Sequence, residues 1–222
     1  MERVFCLLIG YAFGLFQTAY IYGRLHGIDI RNYGSGNAGT TNTLRVFGTK
    51  AGLLVLVGDI MKCILAVAIT AAIFDESHPD MVYLLKMYAA MGAIIGHNFP
   101  FYLKFKGGKG IAATAGLILS FHPYLIPMGV ILFFGAFFTT HYVSLGSLLV
   151  YAGFMIELVV LGQMGIFGMS QALLIEMYVI AAFLTVMAYW KHRENIKRLV
   201  SGTERKTYLT HKNTGAAKKE DD

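Results

Sequence analysis

Long apolar stretches separated by short polar segments dominate the chain, and their lengths match membrane helices. Apolar runs occupy residues 4–23, 51–74, 81–95, 145–161 and 171–190. No Asp, Glu, Lys or Arg occurs between residues 110 and 156. As one helix, that stretch would extend for about 70 Å, more than twice the roughly 30 Å hydrocarbon thickness of a bilayer. The pattern therefore predicts an all-α, polytopic integral membrane protein.

The composition supports this interpretation. Of the 222 residues, 56% are hydrophobic and 14% are charged, whereas a soluble domain has about a quarter of its residues charged. A soluble enzyme, a disulfide scaffold and a disordered chain are therefore excluded. Cys6 and Cys63 lie inside apolar runs without metal-ligand spacing, so we expect buried thiols and no metal site. The net charge of +6 is interpreted as a consequence of membrane topology rather than of nucleic-acid binding.

The distribution of charge decides the number of spans in 110–138. His122-Pro123 interrupts this run, because a proline disfavours helical geometry in the residue before it. Four Lys or Arg residues lie in 24–50, three in 104–109 and nine in 191–219, whereas 75–80 carries only acidic charge. Two spans across 110–138 place every basic segment in the cytoplasm. We therefore predict seven transmembrane helices, with the N-terminus outside and the C-terminus inside.

Three smaller features complete the predicted organisation. Gly10 and Gly14 form a GxxxG pair, which favours close helix packing. Asp59 and Lys62 share a helical face and are expected to form a structural ion pair. Residues 1–210 are predicted to form a single membrane domain, and the polar residues 211–222 a disordered tail.

The first basic segment, residues 34–52, has the sequence GSGNAGTTNTLRVFGTKAG. Its first six residues match GxGxxG, but that motif indicates dinucleotide binding only within a strand–helix unit, which a membrane helix bundle lacks. Glycines still allow backbone N–H groups to converge on an anion. Ser35, Thr40, Thr41 and Asn42 add hydroxyl and amide groups, and Arg45 adds a guanidinium suited to phosphate.

The second and third basic segments have similar chemistry. Residues 96–114, GHNFPFYLKFKGGKGIAAT, lead from a glycine loop into a helix, whose N-terminus favours an anion. A flexible basic turn is the alternative interpretation. Residues 190–206, WKHRENIKRLVSGTERK, place His192 and Asn195 on one helical face, although an amphipathic helix on acidic lipid would show the same periodicity.

The three segments contain phosphate-binding groups without an obvious nucleophile. No Ser-His-Asp order, Cys-His pair, HxxxxD motif or carboxylate cluster occurs on the predicted cytoplasmic side. This combination suits an activated substrate with a good leaving group, attacked by a second substrate.

Together the segments resemble the bacterial acyl-phosphate:glycerol-3-phosphate acyltransferase family, whose motifs are SGNxGxTNxLRxxGxKAG, GHNFPxxLxFKGGKGxAT and HRxNIxRLxxGTE. The resemblance implies a seven-helix bacterial cytoplasmic-membrane enzyme with its active site at the cytoplasmic face. It implies acyl transfer from acyl phosphate to the 1-hydroxyl of glycerol 3-phosphate, giving lysophosphatidate and phosphate as the first step of phospholipid synthesis. No cofactor and no covalent intermediate are expected, and the protein is expected to be monomeric.

The resemblance also implies residue roles. The expected catalytic residues are Ser35, Arg45, Lys104, His192 and Asn195. The expected substrate- and phosphate-binding residues are Gly36, Asn37, Gly39, Thr41, Asn42, Gly107, Gly108, Lys109, Gly110, Arg198 and Gly202. Asp59, Lys62, His97 and Glu204 are expected to support them. The donor phosphate is the favoured proton acceptor, and His192 is the alternative base.

Two other classes of function fit a small polytopic protein with basic loops. One is an anion transporter, although the sequence shows no repeat and its glycine loops lie at the interface rather than at the bilayer midplane. The other is a non-catalytic membrane protein whose loops bind lipid head groups.

Overall fold

The structure is a computed structural model that describes residues 1–209. The described part of the chain contains ten α-helices and no β-strand, which confirms the all-helical prediction. The disordered tail predicted for 211–222 lies outside the described residues. The helices are α1 Glu2–Gly14, α2 Thr18–Leu25, α3 Thr40–Phe47, α4 Thr49–Phe74, α5 Val82–Asn98, α6 Ile111–Phe121, α7 Leu125–Thr140, α8 Val143–Gln163, α9 Gln171–Lys191 and α10 Arg193–Val200.

Four stretches are long and apolar enough to cross a bilayer. They are Glu2–Leu25, Thr49–Phe74, Val143–Gln163 and Gln171–Lys191. The run 110–138 forms two shorter apolar helices, α6 and α7, separated at the predicted break, where His122 has extended backbone before Pro123. The helical breaks are thus confirmed, while the number of membrane crossings stays a prediction.

The first apolar run departs from the single helix expected over 4–23, because the chain breaks between α1 and α2. At the break, the Gln17 side-chain amide donates to the backbone oxygens of Gly14 at 3.0 Å, Gly96 at 3.2 Å and His97 at 3.1 Å. The buried amide donates to carbonyls that have no partner within the interrupted helix or within α5. The break therefore attaches α1 to the end of α5 that carries His97.

Glycines on two facing helices set the packing of α1 against α5. A Cβ on Gly10 would meet the backbone oxygen of Ala89, and a Cβ on Gly92 would meet the backbone oxygen of Leu7. Gly14 and Gly96 oppose each other in the same way. The predicted GxxxG contact is therefore reciprocal, with a second GxxxG on α5, and it lets the two backbones approach closely.

Helix α5 lies at the centre of the bundle and contacts α1, α4, α6 and α9. Its residues Leu84, Met87 and Ile94 are fully buried in the core. The far end of the bundle is fixed by Arg3 Nε, which donates to Glu176 at 2.6 Å. At the opposite end, the last turns of α5 and α9 and the first turns of α6 and α8 surround one cavity. The fold therefore gathers these four helix ends into a single site.

Candidate active site

A cavity of about 450 Å³ opens at the end of the bundle where the three basic segments meet. Residues from all three segments line it, although they are separated by up to 171 positions in the chain (34 to 205). From the first segment come Ser35, Gly36, Asn37, Gly39, Thr40, Thr41, Asn42 and Arg45; from the second, His97, Lys109 and Gly110; from the third, Lys191, His192, Asn195, Arg198, Glu204 and Arg205.

Asn42 holds the loop of the first segment in shape. Its Oδ1 accepts from the backbone N–H of Ser35 at 2.7 Å, and its Nδ2 donates to the backbone oxygens of Ile30 at 3.2 Å and Tyr33 at 3.0 Å. Gly34 has a φ of +59°, and a Cβ there would collide with the Asn42 amide. The buried Asn42 side chain therefore organises the backbone that faces the cavity.

The start of α3 presents hydrogen-bond donors to the cavity. Gly39 begins the helix, and its oxygen accepts the first helical bond, from Thr43 N at 3.0 Å. The preceding backbone N–H groups of Thr40, Thr41 and Asn42 have no acceptor within the helix. The Thr40 hydroxyl is buried and, among the described residues, has no hydrogen-bond partner. These groups form an environment suited to an anion.

The two glycines of the second segment have a different role from the phosphate cradle expected of them. The backbone N–H of Gly107 donates to Asn98 O at 3.3 Å, and that of Gly108 donates to His97 O at 3.1 Å. A Cβ on Gly108 would collide with the His97 ring. Both N–H groups are therefore already engaged, and the glycines serve close packing of the loop on α5.

Lys104 and Lys109 lie in different environments, although they are only five positions apart. Lys104 has a left-handed backbone with φ of 54°, is exposed and does not line the cavity. Lys109 lines the cavity, and its Nζ donates to Asn195 Oδ1. Burial, reinforced by the nearby Arg198 cation, lowers the pKa of Lys109 to about 8. Lys109, rather than Lys104, is thus the cation that this loop places in the cavity.

Glu204 ties the third segment together. Its side chain is only 5% exposed and accepts from Asn195 Nδ2 at 2.7 Å, Arg198 Nε at 2.8 Å and Ser144 Oγ at 3.0 Å. It therefore fixes Asn195, whose other amide atom faces Lys109. The expected supporting role of Glu204 agrees with this geometry.

His192 is held in one tautomer at the end of α9. Its Nδ1 lies 2.8 Å from the backbone oxygen of Ala188. A carbonyl oxygen only accepts, so Nδ1 carries the hydrogen and Nε2 of the neutral ring keeps its lone pair. Burial and the Lys109 cation lower the pKa of His192 to about 4. The ring is therefore neutral near pH 7.

Arg45 joins the first segment to the end of the described chain. Its Nη2 donates to Thr207 Oγ1 at 2.8 Å and to the Arg205 backbone oxygen at 3.3 Å. Burial, with the neighbouring Arg205 cation, lowers the pKa of the guanidinium, which still remains charged at neutral pH. These contacts hold one edge of the guanidinium group. Arg45 also lines the cavity.

The predicted Asp59–Lys62 pair is present at the base of the site. Lys62 Nζ donates to Asp59 Oδ1 at 2.8 Å, and both side chains are buried. Asp59 also accepts from Thr18 Oγ1 at 3.0 Å. Asp59 and His97 line the cavity, whereas Lys62 lies behind them.

The structure thus brings most of the expected residues together and leaves a few apart. Lys62, Lys104, Gly107, Gly108 and Gly202 are not part of the cavity wall. Sequence reasoning did not assign Ser144, Ser147 and Lys191, which line the cavity. The two serines lie in the first turns of α8, and Lys191 directly precedes His192, so the sequence offered a signal for each. Thr207 had none.

The fold and the site together define a helical integral membrane protein with a cationic cavity at one end of its bundle. The sequence model of the family described as glycerol-3-phosphate acyltransferase matches residues 4–202. A glycerol-3-phosphate acyltransferase of Mycoplasmopsis synoviae is 39% identical over 210 residues, which cover 89% of this chain and 91% of that protein. The one of Halalkalibacterium halodurans is 40% identical over 208 residues, or 93% and 96% of the two chains.

Solved structures agree with the sequence relatives. The crystal structure of PlsY (YgiH), an integral membrane glycerol 3-phosphate acyltransferase, in its glycerol 3-phosphate form has a TM-score of 0.80 and 27% identity, and covers 94% of this chain and 96% of that one. Its lysophosphatidic acid form has a TM-score of 0.77 and 26% identity. The chain belongs to the glycerol-3-phosphate acyltransferase family, which confirms the resemblance seen in its motifs and makes it an integral membrane acyltransferase of phospholipid biosynthesis.

Proposed function

We propose that this protein transfers a fatty acyl group from acyl phosphate to the 1-hydroxyl of glycerol 3-phosphate, giving lysophosphatidate and inorganic phosphate, the first step of phospholipid synthesis. The observation that carries the proposal is the convergence of the three basic segments on one cavity. Arg45, Lys109 and Arg198 line it together with the neutral His192. A cavity with several cations suits the binding of two phosphorylated molecules.

The reaction needs both substrates in place before acyl transfer. Lys109, Arg45 and the start of α3 hold phosphate oxygens, and the backbone donors also favour negative charge that develops on the carbonyl oxygen. The glycerol hydroxyl attacks the acyl carbon, and the carbon–oxygen bond to phosphate breaks. The departing phosphate takes the electron pair of that bond. Holding the two reactants side by side supplies much of the rate acceleration.

The attacking hydroxyl is oriented by His192 and Asn195, and its proton passes to the donor phosphate. His192 offers the lone pair on Nε2 as a hydrogen-bond acceptor, while its pKa of about 4 makes it a weak base near pH 7. A phosphate has a second pKa near 6 and is the stronger acceptor of the two. We therefore propose the donor phosphate, rather than His192, as the base.

The absence of a positioned nucleophile supports direct transfer. In residues 1–209, no serine or cysteine lies within hydrogen-bond distance of His97 or His192. Cys6 and Cys63 are buried away from the cavity. A covalent acyl-enzyme would need such a pair to activate its nucleophile.

The proposal includes the membrane arrangement inferred from charge. The stretch α1–α2 and helices α4 to α9 would make seven crossings, with the cavity at the cytoplasmic face of a bacterial inner membrane and the protein active as a monomer. The four long apolar stretches and the gathering of all basic segments at one end support this topology. Cysteines introduced at Ser77 and at Lys50 test it, since only the first should react with an impermeant maleimide added outside intact cells.

The donor is tested with purified protein in lipid nanodiscs. Palmitoyl phosphate and labelled glycerol 3-phosphate should give labelled lysophosphatidate, whereas palmitoyl-CoA should give none. Activity with palmitoyl-CoA alone would refute the proposed donor. Arg45→Ala should abolish product formation without changing the yield of folded protein.

Direct transfer is tested separately by exchange. With palmitoyl phosphate and labelled inorganic phosphate but no acceptor, direct transfer predicts no label in palmitoyl phosphate. Label in that compound, together with a palmitoylated protein detected by mass spectrometry, would indicate an acyl-enzyme and would contradict the proposed mechanism.

A further inference from the structure

His97 lies at the end of α5, where the first and second basic segments meet. Its side chain is 4% exposed, and it lines the cavity. The ring is fixed from behind by Lys62, whose Nζ lies 2.7 Å from Nδ1. The mechanism above gives this buried histidine no role.

The contacts of Lys62 determine which ring nitrogen of His97 carries the hydrogen. An ammonium group has three donors and no acceptor. Lys62 Nζ has three neighbours that can accept: the Phe16 backbone oxygen at 2.9 Å, Asp59 Oδ1 at 2.8 Å and His97 Nδ1 at 2.7 Å. Nδ1 must therefore offer its lone pair, so the ring is neutral and its hydrogen is on Nε2.

The Nε2–H group is on the side of the ring that faces the two loops. A Cβ added to Gly108 would collide with His97 Nε2 and would lie 2.9 Å from the Ala38 backbone oxygen. Among the described residues, none accepts a hydrogen bond from Nε2. The Nε2 atom is not sealed inside the protein, and a ligand in the cavity that His97 lines would supply the acceptor that it lacks.

We propose that His97 is a substrate-binding residue of this cavity, which donates its Nε2–H to an oxygen of a bound phosphate, and that Lys62 and Asp59 position it by fixing its tautomer. This inference rests on the proposed function, because it takes the phosphates of that reaction as the ligand. Asp59 balances the charge of Lys62, so the pair orients the ring without adding net charge. The backbone of Gly108 packs against the Nε2 edge of the ring, where a side chain would collide with it.

Two substitutions of His97 separate its two hydrogen bonds. In His97→Asn, the amide reaches the position of Nδ1, so it can still accept from Lys62 but offers no donor to the cavity. In His97→Gln, the amide reaches the position of Nε2 and keeps that donor, but it loses the Lys62 contact. His26→Asn, at an exposed histidine outside the cavity, is the control.

The measurement is the affinity of each variant for glycerol 3-phosphate and for inorganic phosphate, by calorimetry in nanodiscs without any acyl donor. We expect His97→Asn to bind one or both anions about 10- to 100-fold more weakly than the wild type, as expected for a hydrogen bond to a charged group. His97→Gln should stay within about fivefold. Equal affinities of the two variants, whether both normal or both lost, would overturn the proposal.

A spectroscopic readout does not depend on the variants being folded. The ¹⁵N shifts of His97 in the wild-type protein should show the hydrogen on Nε2, and addition of glycerol 3-phosphate or phosphate should move the Nε2 resonance. A hydrogen on Nδ1, or a resonance that neither anion moves, would contradict the assignment. Because no acyl donor is used, these results stand even if acyl phosphate proves not to be the donor.

Discussion

The Nη2 atom of Arg45 donates to the Oγ1 atom of Thr207 over 2.8 Å, and this contact joins parts of the chain that are 162 residues apart. It brings the first basic segment to the end of the described chain. The contact occupies one edge of the planar guanidinium, and the residue also lines the cavity. Arg45 is thus positioned by the same fold that assembles the site.

Replacing Arg45 by Lys should lower kcat/KM for glycerol 3-phosphate by about 100-fold or more. The charge is kept, but a lysine cannot hold Thr207 and a phosphate with one planar group. Lys50→Ala removes an exposed cation of the same segment and should leave kcat/KM within about twofold. A larger loss in Lys50→Ala than in Arg45→Lys in steady-state assays would show that only the total charge of the segment matters.

The alkaline limit of activity should report on Lys109. Its pKa is lowered to about 8, so the cation is present below pH 8 and is lost as pH rises through that value. kcat/KM for glycerol 3-phosphate should therefore fall above pH 8. In Lys109→Arg the guanidinium stays charged, so the fall in kcat/KM should move to higher pH. An unchanged pH profile would show that another group causes the fall.

His192 should not titrate in the working range of the enzyme. Because burial lowers its pKa to about 4, the ring is protonated only below that pH and is neutral from pH 5 to 8. The kcat/KM profile over this range should have the same shape in the wild type and in His192→Gln, with a lower rate in the variant. An inflection that disappears in His192→Gln would instead identify His192 as the base.

The packing of α1 against α5 should depend on Gly92. A methyl group there would meet the Leu7 backbone oxygen and would lie 2.7 Å from Tyr11 N. Gly92→Ala should therefore destabilise the protein by about 1–3 kcal/mol, the usual cost of overpacking. Gly135→Ala is the matched control within a helix, since a Cβ at Gly135 has no atom within 4 Å. Thermal unfolding in detergent should show a lower stability for Gly92→Ala and no change for Gly135→Ala.

The sequence was sufficient to predict the helical class, the helix break at His122 and the gathering of the basic segments. These follow from hydropathy, from the geometry before a proline and from the sidedness of charge, which are local or additive properties. The break at Gln17 was not predictable, because it depends on carbonyl groups of Gly96 and His97 on a helix that is distant in sequence.

The detailed roles in the second segment were also beyond the sequence. Lys104 and Lys109 lie in the same glycine-rich motif, yet Lys109 lines the cavity whereas Lys104, at a left-handed turn, does not. Likewise, the glycines at 107 and 108 match a phosphate loop in sequence, but their N–H groups bond to the end of α5. Such choices depend on tertiary contacts rather than on residue type.

The difference between these two lysines shows whether the phosphorylated substrates react in this cavity. Lys109→Met and Lys104→Met each remove one cation from the same loop and can be compared in one nanodisc assay with palmitoyl phosphate and glycerol 3-phosphate. Lys109→Met should lower kcat/KM by about 100-fold or more, while Lys104→Met should stay within about twofold of the wild type. An equal loss in both variants, or a greater loss in Lys104→Met, would place the chemistry outside this cavity.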